Sequence, residues 1–221
     1  MTVWALLPVK NFAEAKSRLG TWLPNAQRAG LARAMYEDTL AALAASAGIE
    51  RIAVVSSDEQ AHAIATRAGA LCLDDPGLDL NAALEAGRSE LLSVGASIIV
   101  VFPADIPALR PQDADAVVDA GREDRAAVIV PDHLRTGTNA LLLHRNMPLR
   151  YSFGPDSFQA HTRLARESGF EMHMLRLRNI ECDCDTPEDI LRLTAVPPGK
   201  FTTRSLENLQ PASEGSVRFA R

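Results

Sequence analysis

The sequence predicts an α/β fold: a mostly parallel, mixed sheet with helices on both faces, Rossmann-like in kind. Three observations lead there. Apolar, β-branched runs such as Ile52-Ala53-Val54-Val55-Ser56 and Ser97-Ile98-Ile99-Val100-Val101-Phe102 have the continuity of strands buried on both faces. Segments of helical composition alternate with them, and alternating βα units build parallel sheets. Glycine punctuates the segments at Gly48, Gly69, Gly95, Gly121 and Gly169, where helices are expected to stop. The length, 221 residues, suits one such domain with or without a tail.

Taken in order, Thr2 to Leu7 reads as the first strand, followed by a polar loop from Pro8 to about Leu19. Asn25 to Ser46 is a long helix rich in alanine and leucine, and Ile52–Ser56 the second strand. Ser57 is placed to open a helix, with Gln60 three residues on in a capping-box spacing. Leu71-Cys72-Leu73 is a short strand and Asp74-Asp75-Pro76-Gly77 a turn. Leu80 to Leu92 is helical, then comes the strand leading to Asp105. A helix over Ala114–Ala120 closes at Gly121. Ala126–Pro131 and Asn139–His144 are close strands around a loop carrying Thr136-Gly137-Thr138, and they give the sheet its antiparallel character. Asp156–Ser168 is a helix, Phe170–Leu177 a strand, and the last helix starts with Thr186 at the N-cap and Pro187 at N1. From Pro197 the composition turns polar and rich in Pro, Gly and Ser, which reads as a tail, loosely ordered or wrapped on a partner.

Bulk properties exclude several classes. The net charge is −5 with no long basic block, so nucleic-acid binding is not indicated. Three cysteines make no disulfide framework and no zinc site, and point to a reducing, cytoplasmic location. The opening Val3-Trp4-Ala5-Leu6-Leu7 reads as too short for a signal peptide, and no apolar run is long enough to span a membrane.

The chemistry concentrates in a few loops. Pro103-Ala104-Asp105-Ile106-Pro107 follows a central strand, and open α/β sheets bind ligands beyond the carboxyl ends of their strands. Asp105 suits a metal held on a phosphate, or the plain N-cap of a helix. Lys10, Lys16 and Arg18 crowd the first βα connection, where cations would offset a triphosphate; a solvated surface loop is the alternative. Asp183 and Asp185, two apart in an extended segment, face the same way and could share a Mg²⁺ with Asp105 and phosphates; otherwise they are an acidic helix start. Ser152-Phe153-Gly154-Pro155-Asp156-Ser157-Phe158 leads into a helix whose first N–H groups suit an anion. There is no Walker motif and no G-x-G-x-x-G. The histidines are scattered; His144 and His161 could meet a substrate, but a lone histidine is more often structural.

With these residues assembled, the chain resembles the guanylyltransferases of coenzyme F420 biosynthesis, the CofC/FbiD family. The resemblance rests on Leu7-Pro8-Val9-Lys10 with Ala15-Lys16-Ser17-Arg18-Leu19, Pro103-Ala104-Asp105-Ile106-Pro107-Ala108-Leu109, Gly137-Thr138-Asn139-Ala140-Leu141, Phe153-Gly154-Pro155-Asp156-Ser157-Phe158 and Asp183-Cys184-Asp185-Thr186-Pro187-Glu188-Asp189. It implies one nucleotidyltransferase domain over residues 1–195 and a polar tail over 196–221. It also implies transfer of GMP from GTP to a phosphorylated three-carbon acid, phosphoenolpyruvate or 2-phospho-L-lactate, with 3-phospho-D-glycerate as the alternative. Thr138, Gly154 and Ser157 would then hold the acid. Lys10, Lys16, Arg18, Asn81 and Pro103 would meet the nucleotide, with Lys16 and Asp105 catalytic. Asp105, Asp183 and Asp185 would bind Mg²⁺ or Mn²⁺. The partners implied are GTP and the acid, with no nucleic acid or membrane and a homodimer left open.

Two rivals are separable. Molybdopterin or sugar-phosphate nucleotidyltransferases of this fold usually carry a glycine-rich first loop, where this chain has Pro8-Val9-Lys10. A non-catalytic nucleotide-binding regulator would not need three carboxylates converging on one site.

Overall fold

The computed structural model describes residues 1–124 and 126–210, without the side chains of 123 and 124. The strands are β1 Val3–Val9, β2 Arg51–Ser56, β3 Leu71–Asp74, β4 Ile98–Val101, β5 Ala127–Pro131, β6 Thr138–His144 and β7 Met172–Met174. The helices are α1 Asn25–Ala44, α2 Glu59–Arg67, α3 Leu80–Ser93, α4 Pro111–Asp124, α5 Ser157–Glu167, α6 Pro187–Arg192 and α7 Lys200–Glu207. The sheet order is β3-β2-β1-β4-β6-β5-β7. β6 runs antiparallel to β4 and β5; the other pairings among the described residues are parallel.

The period-two geometry of a strand divides the core into two layers. Val3, Ala5, Leu7 and Val9 of β1, and Ile98 and Val100 of β4, pack under α1, α2 and α4. Trp4 and Leu6, with Ile99 and Val101, pack under α3 and α5. Because both faces are covered, the central strands read as unbroken apolar runs. Each fully buried Val, Leu or Ile contributes about 1.5–3 kcal/mol, so the sheet is a rigid platform for the loops at its edge. Leu6 lies opposite Val101, and Val101 opposite Leu141. The carboxyl ends of β1 and β4 therefore meet the amino end of β6 at one edge.

The structure departs from the sequence expectations at several boundaries. The cap of α2 is Asp58, not Ser57: its carboxylate accepts from the backbone N–H of Gln60 at 2.8 Å and of Ala61 at 3.2 Å. Helix α4 runs from Pro111 through Gly121 to Asp124, so Gly121 does not stop it. A Cβ there would lie 2.6 Å from Leu142 Cδ2, and the missing side chain lets α4 settle onto β6. The expected strand Phe170–Leu177 shrinks to Met172–Met174, because β7 is an edge strand paired only with β5 among the described residues. The Pro8–Leu19 loop is ordered by two 3₁₀ turns, Phe12–Glu14 and Ser17–Leu19.

The segment after Pro197 is not structureless. Helix α7 packs on α1, and Asp38 of α1 accepts from the backbone N–H of Phe201 at 3.1 Å and of Thr202 at 2.7 Å. This tie is polar, a carboxylate on the first N–H groups of a helix, and Leu206 adds an apolar contact further along α7. The rest of the expected tail, residues 211–221, lies outside the described residues.

Candidate active site

A satellite apolar cluster lies beneath the site. Leu19, Leu23, Leu31, Met35, Cys182, Cys184, Ile190 and Leu193 form it, with Leu206 of α7 packed against it. It joins the lysine-bearing loop after β1 to the acidic segment before α6. Within that segment the residues alternate: Cys182 and Cys184 point into the cluster, and Asp183 and Asp185 face the other way. The C-x-C spacing is thus the buried half of a D-x-D pair.

Lys16 is the centre of the charged constellation. Its backbone is left-handed, at φ 55°, a conformation uncommon for a residue with a side chain. Its ammonium stands 2.5 Å from Asp105 Oδ2 and 2.9 Å from Asp185 Oδ1, with the side chain only 5 % exposed. Burial works against the ammonium charge, but Asp105 and Asp185 outweigh it and raise Lys16 above the ordinary lysine range. Burial likewise pushes Asp185 up, but Lys16, Arg18 and Lys10 outweigh it, holding that carboxyl below its usual value. Arg18, largely exposed, reaches Asp185 Oδ2 at 3.2 Å. Lys10 is exposed at the rim, and Pro103 lies half-buried on the loop that carries Asp105.

Asp183 behaves differently. Burial, then the charge of Asp105, raise its carboxyl to about 6, partly offset by a hydrogen bond from Asn139. The Asn139 amide donates to Asp183 Oδ1 at 3.1 Å and to the Ile180 carbonyl at 2.9 Å. Among the described residues no group of three or more His, Cys, Asp or Glu side chains is arranged to hold a metal ion by itself. Lys16 lies between Asp105 and Asp185 and pairs with both, while Asp183 is held by Asn139. Asp105, Asp183 and Asp185 are of the kind that suits Mg²⁺, which takes one or two carboxylates and completes its shell with substrate phosphates and water.

The second half of the site lies across β6. Thr138, at the start of that strand, and Ser157, at the start of α5, are both buried and joined by a 3.2 Å hydrogen bond, Ser157 donating. Gly154 sits beside them at φ 131°, which a residue with a side chain rarely adopts. The open helix start expected here is partly closed. The Ser157 N–H donates to the Gly154 carbonyl at 3.2 Å and the Phe158 N–H to the Thr136 carbonyl at 3.1 Å. The Thr138 hydroxyl, rather than those two amides, is the donor left to meet an anion.

Asn81 is placed in this half and not at the charged constellation. Its amide oxygen accepts the Phe153 N–H at 2.7 Å and its NH₂ donates to the Phe153 carbonyl at 3.0 Å.

Four supporting residues were not singled out from sequence. Asp58 accepts the Phe12 N–H at 2.8 Å and anchors the lysine loop to α2. Asn139 holds Asp183. Asp189 accepts from the Asp185 N–H at 3.2 Å and the Thr186 N–H at 2.9 Å, so the α6 cap also sets the acidic segment. Asp38 fixes α7. Asp189 carried a signal in its capping-box distance from Thr186, and Asn139 in following Thr138 within the Gly137-Thr138-Asn139-Ala140-Leu141 motif. His144 is structural, bonded to the Gly121 carbonyl at 3.1 Å.

Residues 3–216 match the family described as guanylyl transferase CofC-like. The chain belongs to this family. Among its relatives in the CofC-like family, it is 43 % identical over 195 residues to a phosphoenolpyruvate guanylyltransferase of Rubrobacter xylanophilus, covering 88 % of this chain and 95 % of that one. It is 33 % identical to a 3-phospho-D-glycerate guanylyltransferase of Phenylobacterium zucineum, over 93 % and 96 % of the two chains. The fold is shared with a protein of Desulfovibrio desulfuricans G20 assigned to the nucleotide-diphospho-sugar transferases, at TM-score 0.75, 19 % identity and 94 % and 95 % coverage. The α/β nucleotidyltransferase architecture of a CofC-like guanylyltransferase therefore holds through most of the chain.

Proposed function

We propose that this enzyme transfers GMP from GTP to the phosphate of phosphoenolpyruvate and releases pyrophosphate. The observation that carries the reading is the division of the site: a cationic and acidic half around Lys16 and Asp105, and a hydroxyl-bearing half around Thr138 and Ser157, on one edge of the sheet. The name of the Rubrobacter relative supports the choice of acid.

A phosphate oxygen of the acid attacks the α-phosphorus of GTP. The new P–O bond forms as the bond from the α-phosphorus to the bridging oxygen breaks, and pyrophosphate carries away the electron pair. The attacking phosphate is already an anion, so no side chain has to remove a proton. Positioning and charge compensation are what the protein contributes. Lys16 is held charged and desolvated between Asp105 and Asp185, where it stabilises negative charge gathering on the α-phosphate. Arg18 and Lys10 take the outer phosphates. Thr138 orients the acid through its hydroxyl proton, Ser157 holds that hydroxyl by donating to it, and Gly154 lets the backbone approach the acid. Mg²⁺, held by Asp105 and Asp183, would supply charge neutralisation on the phosphates.

The test is pyrophosphate release from purified protein with GTP, Mg²⁺ and one acid at a time: phosphoenolpyruvate, 2-phospho-L-lactate or 3-phospho-D-glycerate. Highest kcat/KM with phosphoenolpyruvate is expected, with loss of turnover when Mg²⁺ is chelated. A preference for 3-phospho-D-glycerate would move the chain to the reading favoured by the Phenylobacterium relative. No release with any acid would overturn the proposal.

A further inference from the structure

His161 lies on the buried face of α5, one turn beyond Ser157, and makes two hydrogen bonds of opposite demand. The Ser152 backbone N–H donates to its Nε2 at 2.9 Å, and its Nδ1 is 3.1 Å from Thr138 Oγ1. A backbone N–H only donates, so Nε2 must present its lone pair. The proton of the neutral ring is then on Nδ1, and Nδ1–H donates to Thr138 Oγ1. Thr138 Oγ1 also accepts from Ser157 Oγ at 3.2 Å. Both lone pairs of the threonine oxygen are filled, and its own proton is taken by no third partner among the described residues.

The same ring braces the neighbouring loop. Three successive backbone N–H groups are each received by a side chain: Tyr151 by Glu85 at 2.8 Å, Ser152 by His161, and Phe153 by Asn81 at 2.7 Å. The Phe153 ring meets the imidazole edge-on at 4.9 Å. Gly154 follows directly on this strapped segment.

We infer that His161 is a positioning residue for the phosphorylated acid: it fixes the Thr138 hydroxyl as a pure donor toward the anion and holds the Ser152–Gly154 backbone against it. The inference rests on the acid site proposed above. It assigns a task to a buried histidine that would otherwise count as core. Burial also keeps the imidazole neutral at physiological pH, as the acceptor role of Nε2 requires.

Two measurements test it. The first is the ring tautomer in the free enzyme, read by ¹⁵N NMR of the imidazole: the Nδ1–H form is expected, and the Nε2–H form would overturn the inference whatever the substrate. The second is initial-rate kinetics of His161→Ala, His161→Asn and His161→Gln with GTP and phosphoenolpyruvate varied in turn. His161→Ala is expected to raise KM for the acid about tenfold, the weight of one hydrogen bond to a charged group, with KM for GTP little changed. His161→Asn keeps a donor near the Nδ1 position and should recover part of that loss. His161→Gln keeps an acceptor near Nε2 and provides a folded variant if the alanine protein is unstable. In a Thr138→Val background the effect of His161→Ala on KM should largely vanish, because the two act as one unit. Equal changes in both KM values, or full additivity with Thr138→Val, would reduce His161 to a structural residue. Absence of any turnover by the wild-type enzyme would instead remove the proposed function, leaving the tautomer to decide the histidine's arrangement.

Discussion

Asn81 and Phe153 exchange two hydrogen bonds, side-chain amide to backbone amide, at 2.7 and 3.0 Å. The first turn of α3 is thereby stitched to the loop that carries Gly154. The family resemblance implies that Asn81 lies near the nucleotide. In the folded chain its amide is spent on the backbone that leads to Gly154, in the half proposed to take the acid.

Asn81→Ala should therefore act on the acid and not on the nucleotide. Loss of both bonds leaves the part-buried Phe153 amide unpaired at a cost of about 1–3 kcal/mol or less. KM for the phosphorylated acid should rise several-fold or more, with KM for GTP nearly constant. A larger change in KM for GTP would return Asn81 to the nucleotide pocket.

Lys16→Ala should lower kcat by about 10²–10³, the usual cost of removing one preorganised charge from a transition state. Lys16→Arg should not restore it, since the guanidinium fork does not fit a point-charge position enclosed by Asp105 and Asp185. Single-turnover rates at saturating GTP read this directly, and near-normal rates in either variant would displace Lys16 from the chemistry.

The pH dependence of stability has a defined sign at His161. Burial lowers its pKa from 6.5 to about 4. As pH falls through 6.5 the unfolded chain takes up a proton that the folded protein refuses until about pH 4. The stabilisation is complete above 6.5 and is lost on acidification across that window, up to about 3 kcal/mol at 1.36 kcal/mol per unit. Asp183 runs the other way: its pKa is raised from 3.8 to about 6, so its contribution is present below 3.8 and lost as pH rises through 6. The informative quantity is the difference between wild type and His161→Asn in urea unfolding. That gap should narrow from pH 7 to pH 4.5; a constant gap would show that the ring does not titrate as described.

Asp38→Ala should cost about 0.5–2 kcal/mol in the same assay, the range for losing a side chain that caps a helix start. Asp38→Asn, which keeps an acceptor, should cost less. Equal losses would mean that the two hydrogen bonds to Phe201 and Thr202 contribute little to holding α7.

The strands were readable because Ile98–Val101 and Ile52–Ser56 are covered on both faces, and that requirement writes itself as unbroken β-branched runs. Residues whose loops end at the sheet edge, Lys16, Asp105, Thr138 and Ser157, could be placed for the same reason. Connections that depend on tertiary approach left no mark. Gly121 reads as a helix stop, yet it is a contact with Leu142. Helix α7 is tied by Asp38 from 163 residues away. The division of labour between Asp183 and Asp185, identical residues two apart, is decided by Asn139 on one side and Lys16 on the other.

The alternation that turns Asp183 and Asp185 away from the apolar cluster also seals two thiols. Cys182 and Cys184 are buried in the apolar cluster, and burial foremost pushes Cys182 up to about 11 and Cys184 further still. Little thiolate exists at either one, so electrophiles and oxidants have no nucleophile to find beside the acidic segment. Cys72 is half-buried on the edge strand β3, three places along the sheet from β4. Cys72 is the one partly exposed cysteine of the three, so a thiol-reactive probe should label it in preference to the other two.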